Sequence, residues 1–417
     1  MTAIRDIETI VAGGLCAGCG LCESIAGRDR VEMGITSAGQ IRPHVKQAPG
    51  AEALERILAV CPGIAVTGPD PAQAGPAGVM HEVWGPIRTL QLGWSADAGQ
   101  RFRSAAGGAM TELGAYLLQT GQVDAVVHVR ASETEPMLTD ALVSRTVEEV
   151  RSGAQSRYGP AAPLRHVMEL IGQGLRLAVL AKPCDIAAMR NLQRTDPRAE
   201  AQVRFLVTLF CGGVPTVHTA RRIAAYQGVQ EDELRVFRWR GNGWPGPTHI
   251  ETKDGRSLDM TYDDVWYRTD VPWTYDIQFR CKICPDAIGE LADVACPDGW
   301  VMENGRPIHR EADGMNVLVA RTERGEKLVA EAVAAGALQV APFTLEELDA
   351  MHGDHRPRKT EWPSRVKALE EEGEPTPRYD RLRARAMTAL LGPEGASEAL
   401  EGARRRVREG AHREPLR

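Results

Sequence analysis

The sequence predicts an α/β protein, α+β over the whole chain, in three parts. Strand-like and helix-like runs alternate from about residue 84 to 345, the pattern of a largely parallel sheet. Three cysteines crowd into seven residues near the N-terminus, which marks a small separate module. Residues 354–417 carry 15 Lys/Arg and 12 Asp/Glu, which predicts a charged, partly helical tail.

Taken in order, residues 1–67 form the cysteine-bearing module. Residues 68–83 read as a linker, because the run GPDPAQAGPAG opposes both helix and strand. In the body, residues 107–119 read as a helix, with Met110, Leu113, Leu117 and Leu118 at helical spacing. VDAVVHV (123–129), LRLAVLA (175–181) and VRFLVTLF (203–210) read as strands. Residues 186–192 and 215–226 read as helices, the second with Pro215 in its first turn. Residues 231–275 look like β structure broken by turns, and 318–336 like a strand followed by a helix. Residues 346–417 make up the tail.

The 417 residues are 43% hydrophobic and 25% charged, ordinary for a globular protein of two or three domains. A net charge of −6, from 50 basic and 56 acidic residues, argues against a nucleic-acid partner. No uncharged apolar run approaches the ~18 residues of a membrane span. The first residues, with Arg5, Asp6 and Glu8, lack an apolar secretory core, so a cytoplasmic location is expected. Nine cysteines in a reducing compartment point to metal rather than disulfides.

Cys16, Cys19 and Cys22 lie in CAGCGLC, and Cys61 follows in a Cys-Pro pair. A compact C-x-x-C-x-x-C run wraps three corners of a cube, and a remote Cys-Pro supplies the fourth. This is the way a ferredoxin-like module holds a [4Fe–4S] cluster. Structural zinc more often uses separated pairs. Cys184 and Cys211 each follow a predicted strand, at the edge where open α/β sheets hold ligands. With Cys281 and Cys284, a C-x-x-C pair, they supply four more thiols. Spacing alone leaves a second cluster, a zinc site and a redox dithiol at 281/284 open. Cys296 is left over, as a small buried hydrophobe or a substitute member of the second set. Gly107 and Gly108 start a helix, which reads either as a plain turn and N-cap or as an anion site on free N–H groups; SGAQSRYGP (152–160) is a second polar loop, either a surface turn or a phosphate contact through Arg157. No standard dinucleotide or P-loop fingerprint is present.

Together these segments resemble the β-subunit family of coenzyme F420 hydrogenases and dehydrogenases. That family also includes 7-hydroxymethyl chlorophyll a reductase and a ferredoxin-dependent 8-vinyl reductase. The matching segments run from CAGCGLC and Cys61–Pro62 through SAAGGAMT, SGAQSRYGP, AKPCDIAAMR, LFCGG, RGNGWPG and FRCKICPDAIGELADV to Gly314–Met315–Asn316 and Arg321–Gly325. The sequence departs from its relatives at Cys296–Pro297, where many have a Gly-Asp type turn, and at Lys182, where others place Thr.

The resemblance implies FAD with one or two [4Fe–4S] clusters, the second on Cys184, Cys211, Cys281 and Cys284. It implies a flavin pocket of Gly107, Gly108, Thr111, Ser156, Arg157, Tyr158 and Lys182. Lys182, Tyr158 and His218 are the candidate proton donors. The expected function is an oxidoreductase that relays electrons between a ferredoxin-like one-electron carrier and a two-electron organic substrate. The alternative is an electron-transfer subunit of a larger complex reacting with F420 or NAD(P)H. A homo-oligomer or larger redox complex is expected, with the arginines at 404–408 a surface for an acidic partner or a solvated end.

Overall fold

An eight-stranded sheet organises the computed structural model, which describes residues 4–273 and 276–417. Its strands are β1 (Thr89–Ser95), β2 (Ala125–Ala131), β3 (Thr139–Ser144), β4 (Leu177–Leu180), β5 (Val203–Thr208), β6 (Val294–Ala295), β7 (Asn316–Ala320) and β8 (Leu338–Pro342). Their spatial order is β8-β1-β7-β6-β5-β4-β2-β3. Only the run β6-β5-β4-β2 is parallel; β3, β7, β1 and β8 join antiparallel. The sheet is thus mixed rather than largely parallel. The link from β2 to β3 is a short turn with no crossover helix, and only an antiparallel pair can be joined that way. Within the parallel run, β4 is apolar along its length because both of its faces are covered: every residue of it is buried.

The N-terminal part holds the helices α1 (Ile7–Ala12), α2 (Leu21–Ala26) and α3 (Ala51–Val60) and a hairpin, Val31–Ile35 with Ile41–Val45. Asp6 caps α1 by accepting the Thr9 N–H at 2.7 Å. In the body, α4 (Ala109–Gln119) and α5 (Pro183–Thr195) follow β1 and β4, and α6 (Val217–Tyr226) follows β5. Residues 231–275 contain the expected β structure: Leu234–Arg238, Thr248–Thr252 and Ser257–Met260 form a three-stranded antiparallel sheet. Residues 274 and 275 lie outside the described residues. A short helix, α7 (Phe279–Lys282), carries Cys281, and α8 (Glu323–Ala334) follows β7.

Two regions differ from the sequence reading. Between residues 68 and 83, Asp70 caps a 3-10 turn, Pro71–Ala74, and Val79–His81 pairs with Gly85–Ile87. Proline at the first position starts such a turn rather than opposing it. The tail is folded onto the body. It forms α9 (His355–Glu371) and α10 (Ala384–Arg408, bent at Gly392), and its strand Arg378–Asp380 pairs in parallel with Ala65–Thr67.

One continuous apolar core joins all three parts. It includes Ile7, Leu15 and Val60, then Leu177, Ile186 and Leu206, then Trp362, Leu369 and Val407. A second core between α4, the sheet and α8 contains Leu113, Leu117, Val126 and Leu328. Among the described residues no helix is long and apolar enough to cross a membrane.

Candidate functional site

The first thiol set is assembled by short elements. Cys16 and Cys19 lie in the loop after α1, Cys22 is the second residue of α2, and Cys61 caps the end of α3. Gly18 has φ +73°, and a Cβ there would lie 2.8 Å from Ile41 Cγ2. Its N–H donates to Cys16 Sγ at 3.4 Å. All four sulfurs are free thiols lining one small cavity, about 30 Å³, whose other walls are apolar, Ile10, Val11 and Ile57 among them. Burial pushes the Cys61 thiol up to about 12, and the charge on Cys16 adds to it. Burial likewise raises Cys22, with Cys16 and Cys61 adding. Ionised together as ligands, four thiolates in this apolar shell would repel one another and need a positive centre among them. That donor set fits an iron–sulfur core.

The second set forms where three segments meet. Cys184 is in the first turn of α5, Cys211 follows β5, Cys281 is on α7 and Cys284 lies just beyond it. Burial raises Cys184, with Cys211 and Cys284 adding, and burial and Cys281 carry Cys211 to about 12. Val214 N–H and Gln278 Nε2 both donate to Cys281 Sγ at 3.4 Å. Cys296 stands apart. It packs in the second apolar core, and burial alone raises its thiol.

Cations lie between the sets. Lys182 Nζ donates to both carboxylate oxygens of Asp185 at 2.7 and 2.8 Å. Burial opposes its charge, but Asp185 and Cys184 hold it protonated well above the ordinary lysine value. Arg42, 1% exposed, donates to Glu414 at 2.5 and 2.7 Å and to Gln278 Oε1 at 2.7 Å. Arg280 donates to the Pro62 carbonyl at 3.0 Å.

The larger cavity, about 260 Å³, opens beside the second set. Gly108, Thr111, Ser156, Arg157, Tyr158 and Lys182 line it, and so does Cys211. Gly107 is not in its wall. It lies behind, where a Cβ would come 2.8 Å from the Gly93 carbonyl oxygen, and Gly108 turns the chain into α4 at φ +74°. Burial and the neighbouring Arg238 push Arg157 down to about 10; its Nη2 donates to Gln155 Oε1 at 2.9 Å. A cation with no carboxylate partner among the described residues, beside a helix start, suits a phosphate or diphosphate group. His218 is not at the cavity: its Nε2 lies 3.1 Å from the Ser37 carbonyl oxygen, and its ring packs against Gly39.

The walls also contain His128, Arg240, Asp298 and Asn316, which the sequence reading did not propose. Arg240 Nη1 donates to Tyr158 Oη at 2.8 Å and to Asp298 at 2.9 Å, and its guanidinium lies over Trp244 at 4.8 Å. Asn316 Oδ1 accepts the Ala109 N–H at 3.1 Å, fixing the start of α4. RGNGWPG and Gly314–Met315–Asn316 signalled both positions as motifs. The tail arginines serve the fold: Arg404 pairs with Glu371, Glu372 and Glu401, and Arg408 with Glu372.

The chain is 26% identical over 316 residues to the coenzyme F420 hydrogenase subunit beta of Methanothermobacter thermautotrophicus, covering 71% of this chain and 99% of that one. It is 24% identical over 246 residues to the F420-dependent formate dehydrogenase subunit beta of Methanocaldococcus jannaschii, covering 59% and 60%. A chain of the F420-reducing [NiFe] hydrogenase complex of Methanosarcina barkeri superposes with a TM-score of 0.51 at 19% identity, over 79% of this chain and 94% of that one; this likeness is one of fold. The N-terminal model of the coenzyme F420 hydrogenase/dehydrogenase beta subunit matches residues 90–169, and the C-terminal model matches 174–346. The matches span more than half of the chain, and it belongs to the coenzyme F420 hydrogenase/dehydrogenase beta-subunit family, whose members are oxidoreductase subunits.

Proposed function

We propose that the chain is an electron-transfer subunit of a larger hydrogenase- or dehydrogenase-type complex. In this reading it carries two [4Fe–4S] clusters and FAD and exchanges electron pairs with F420 or NAD(P)H. One observation supports it above all: Cys211 belongs to the second thiol set and to the wall of the large cavity. A cluster on that set and a flavin in that cavity would be neighbours. Cys16, Cys19, Cys22 and Cys61 would hold the first cluster, and Cys184, Cys211, Cys281 and Cys284 the second. The names of the relatives favour the subunit over a stand-alone reductase. Free thiols throughout suit a reducing cytoplasm.

The protein's own groups have definable tasks. Arg157 and the N–H groups leading into α4 would bind the flavin diphosphate. Lys182, held protonated by Asp185, acts as a fixed positive charge at the cavity rather than as a proton shuttle. Tyr158 accepts from Arg240, and burial holds its phenol protonated, so its hydroxyl remains a hydrogen-bond donor. A bound flavin supplies the exchange between single and paired electrons.

Anaerobic purification with iron, zinc and flavin analysis tests the proposal. The expected protein is brown, contains two clusters' worth of iron and FAD, co-purifies with a larger partner, and has flavin bleached by reduced F420 or NAD(P)H. A colourless zinc protein would sink it. Steady reduction of an organic substrate by the isolated chain with ferredoxin would replace it with the reductase reading.

A further inference from the structure

Three cations lie between the two thiol sets, and they are not equivalent. Lys182 is paired with Asp185 and Arg42 with Glu414. Arg280 has no carboxylate within ion-pairing distance among the described residues, although it is 2% exposed. It precedes Cys281 on α7 and donates from Nη2 to the carbonyl of Pro62, the residue after Cys61. One guanidinium thus touches the backbone of the first set and is covalently next to the second. Its Nε and Nη1 have no hydrogen-bond partner among the described residues. The guanidinium lies over the face of Tyr379, 5.5 Å from the ring centre. Its charge is felt at Cys61 in the first set and at Cys284 in the second.

A buried, unpaired guanidinium costs several kcal/mol unless an anion compensates it. Four thiolates outweigh the positive iron–sulfur core, so each cluster is a net anion, and reduction by one electron adds one more negative charge. We propose that Arg280 is the shared counter-charge of both clusters: a positioning residue that favours the reduced form of each and allows the two sites to lie close together. This rests on the reading of both thiol sets as [4Fe–4S] sites. Arg42 and Lys182 also act on thiols of the two sets, but each is held by a carboxylate of its own, whereas Arg280 has none among the described residues. In the protein without clusters the two unpartnered nitrogens have no explanation; with clusters on both sides they face the charge they balance.

The test uses the full chain, purified anaerobically, with iron content and EPR-monitored redox titration as readouts. Arg280→Gln removes the charge and keeps much of the shape; Arg280→Lys keeps the charge. The expected result is that R280Q retains iron and both clusters become at least tenfold harder to reduce, a downward move of about 59 mV or more for a one-electron couple. R280K should recover most of that change. If R280Q loses its iron while R280K keeps iron and near-native potentials, the need for charge is equally demonstrated. Unchanged potentials in R280Q, a change at one cluster only, or loss of iron in R280K as well would overturn the proposal. Zinc in place of iron in the unaltered chain would instead remove the functional reading on which it rests.

Discussion

At the scale of single residues, His128 shows what the cavity demands of its walls. The imidazole is 6% exposed, and its Nε2 meets Ser144 Oγ at 2.7 Å. Burial pushes it down to about 4, against about 6.5 in an unfolded chain. Between those values the unfolded chain binds the extra proton. The stability from this residue is therefore complete above about pH 6.5 and falls away as the pH drops towards 4, by roughly 3 kcal/mol in all. His128→Gln can still bond Ser144 and has no proton to take up. Thermal melts at about pH 7.5 and about pH 5 should show the variant losing less stability than the parent on acidification. Parallel losses would refute this. Cysteines give a second residue-scale contrast. Cys211→Ser should cost about half of the bound iron, whereas Cys296→Ser should leave it intact, since only Cys211 shares its charge with other thiols. Equal iron in the two variants would remove Cys211 from the second set.

At the scale of elements, the tail helices decide whether the chain has a core or a core with an appendage. Leu369 on α9 is fully buried in the cluster that also holds Ile7 and Leu177. Leu369→Ala should cost about 2–5 kcal/mol, seen as a lowered melting temperature of the whole protein in one transition. A loss under about 0.5 kcal/mol is what a solvated tail would give. The sequence hid this packing for a physical reason. The buried residues of α9 include His355, Lys359, Thr360 and Ser364 beside Trp362, Val366, Ala368 and Leu369, so half of its inward face is polar and no clean apolar stripe shows. The body was legible because β4 is covered on both faces and reads as an unbroken apolar run, and β5 is interrupted only by the exposed Arg204 before its terminal Thr208. The cysteine sets were legible through local spacing in one case and strand ends in the other. Arg240 as a wall of the cavity was not, because its partners Asp298 and Tyr158 lie 58 and 82 residues away and only folding reveals the pairing. The mixed sheet escaped notice because strand direction at β7 depends on a connection without a helix, which periodicity does not record.

At the scale of the whole molecule, the tail holds the second thiol set in place from behind. Lys359 on α9 is fully buried, donates to the Pro285 carbonyl at 2.7 Å and pairs with the fully buried Glu290. Arg383, at the start of α10, pairs with the same carboxylate at 2.7 Å. Burial opposes the charge of Glu290, yet Lys359 and Arg383 keep it below the ordinary glutamate value. Pro285 follows Cys284, so the amine that neutralises Glu290 also anchors a candidate cluster ligand. Removing one partner of a buried pair costs up to about 3–5 kcal/mol where nothing compensates the other charge, and here Arg383 offsets part of that loss. Lys359→Met should therefore lower the melting temperature sharply and also loosen the loop at Cys284. Iron should be lost first from the second set, leaving the EPR signal of the first. The double variant Lys359→Met/Glu290→Gln removes both charges of that pair but leaves Arg383 without its carboxylate, so it should recover part of the stability and not the Pro285 hydrogen bond. Stability and iron retention would then separate: the double variant melts above the single variant and still binds the second cluster weakly. If stability and iron return together, the tail supports the core alone and has no hold on the second site.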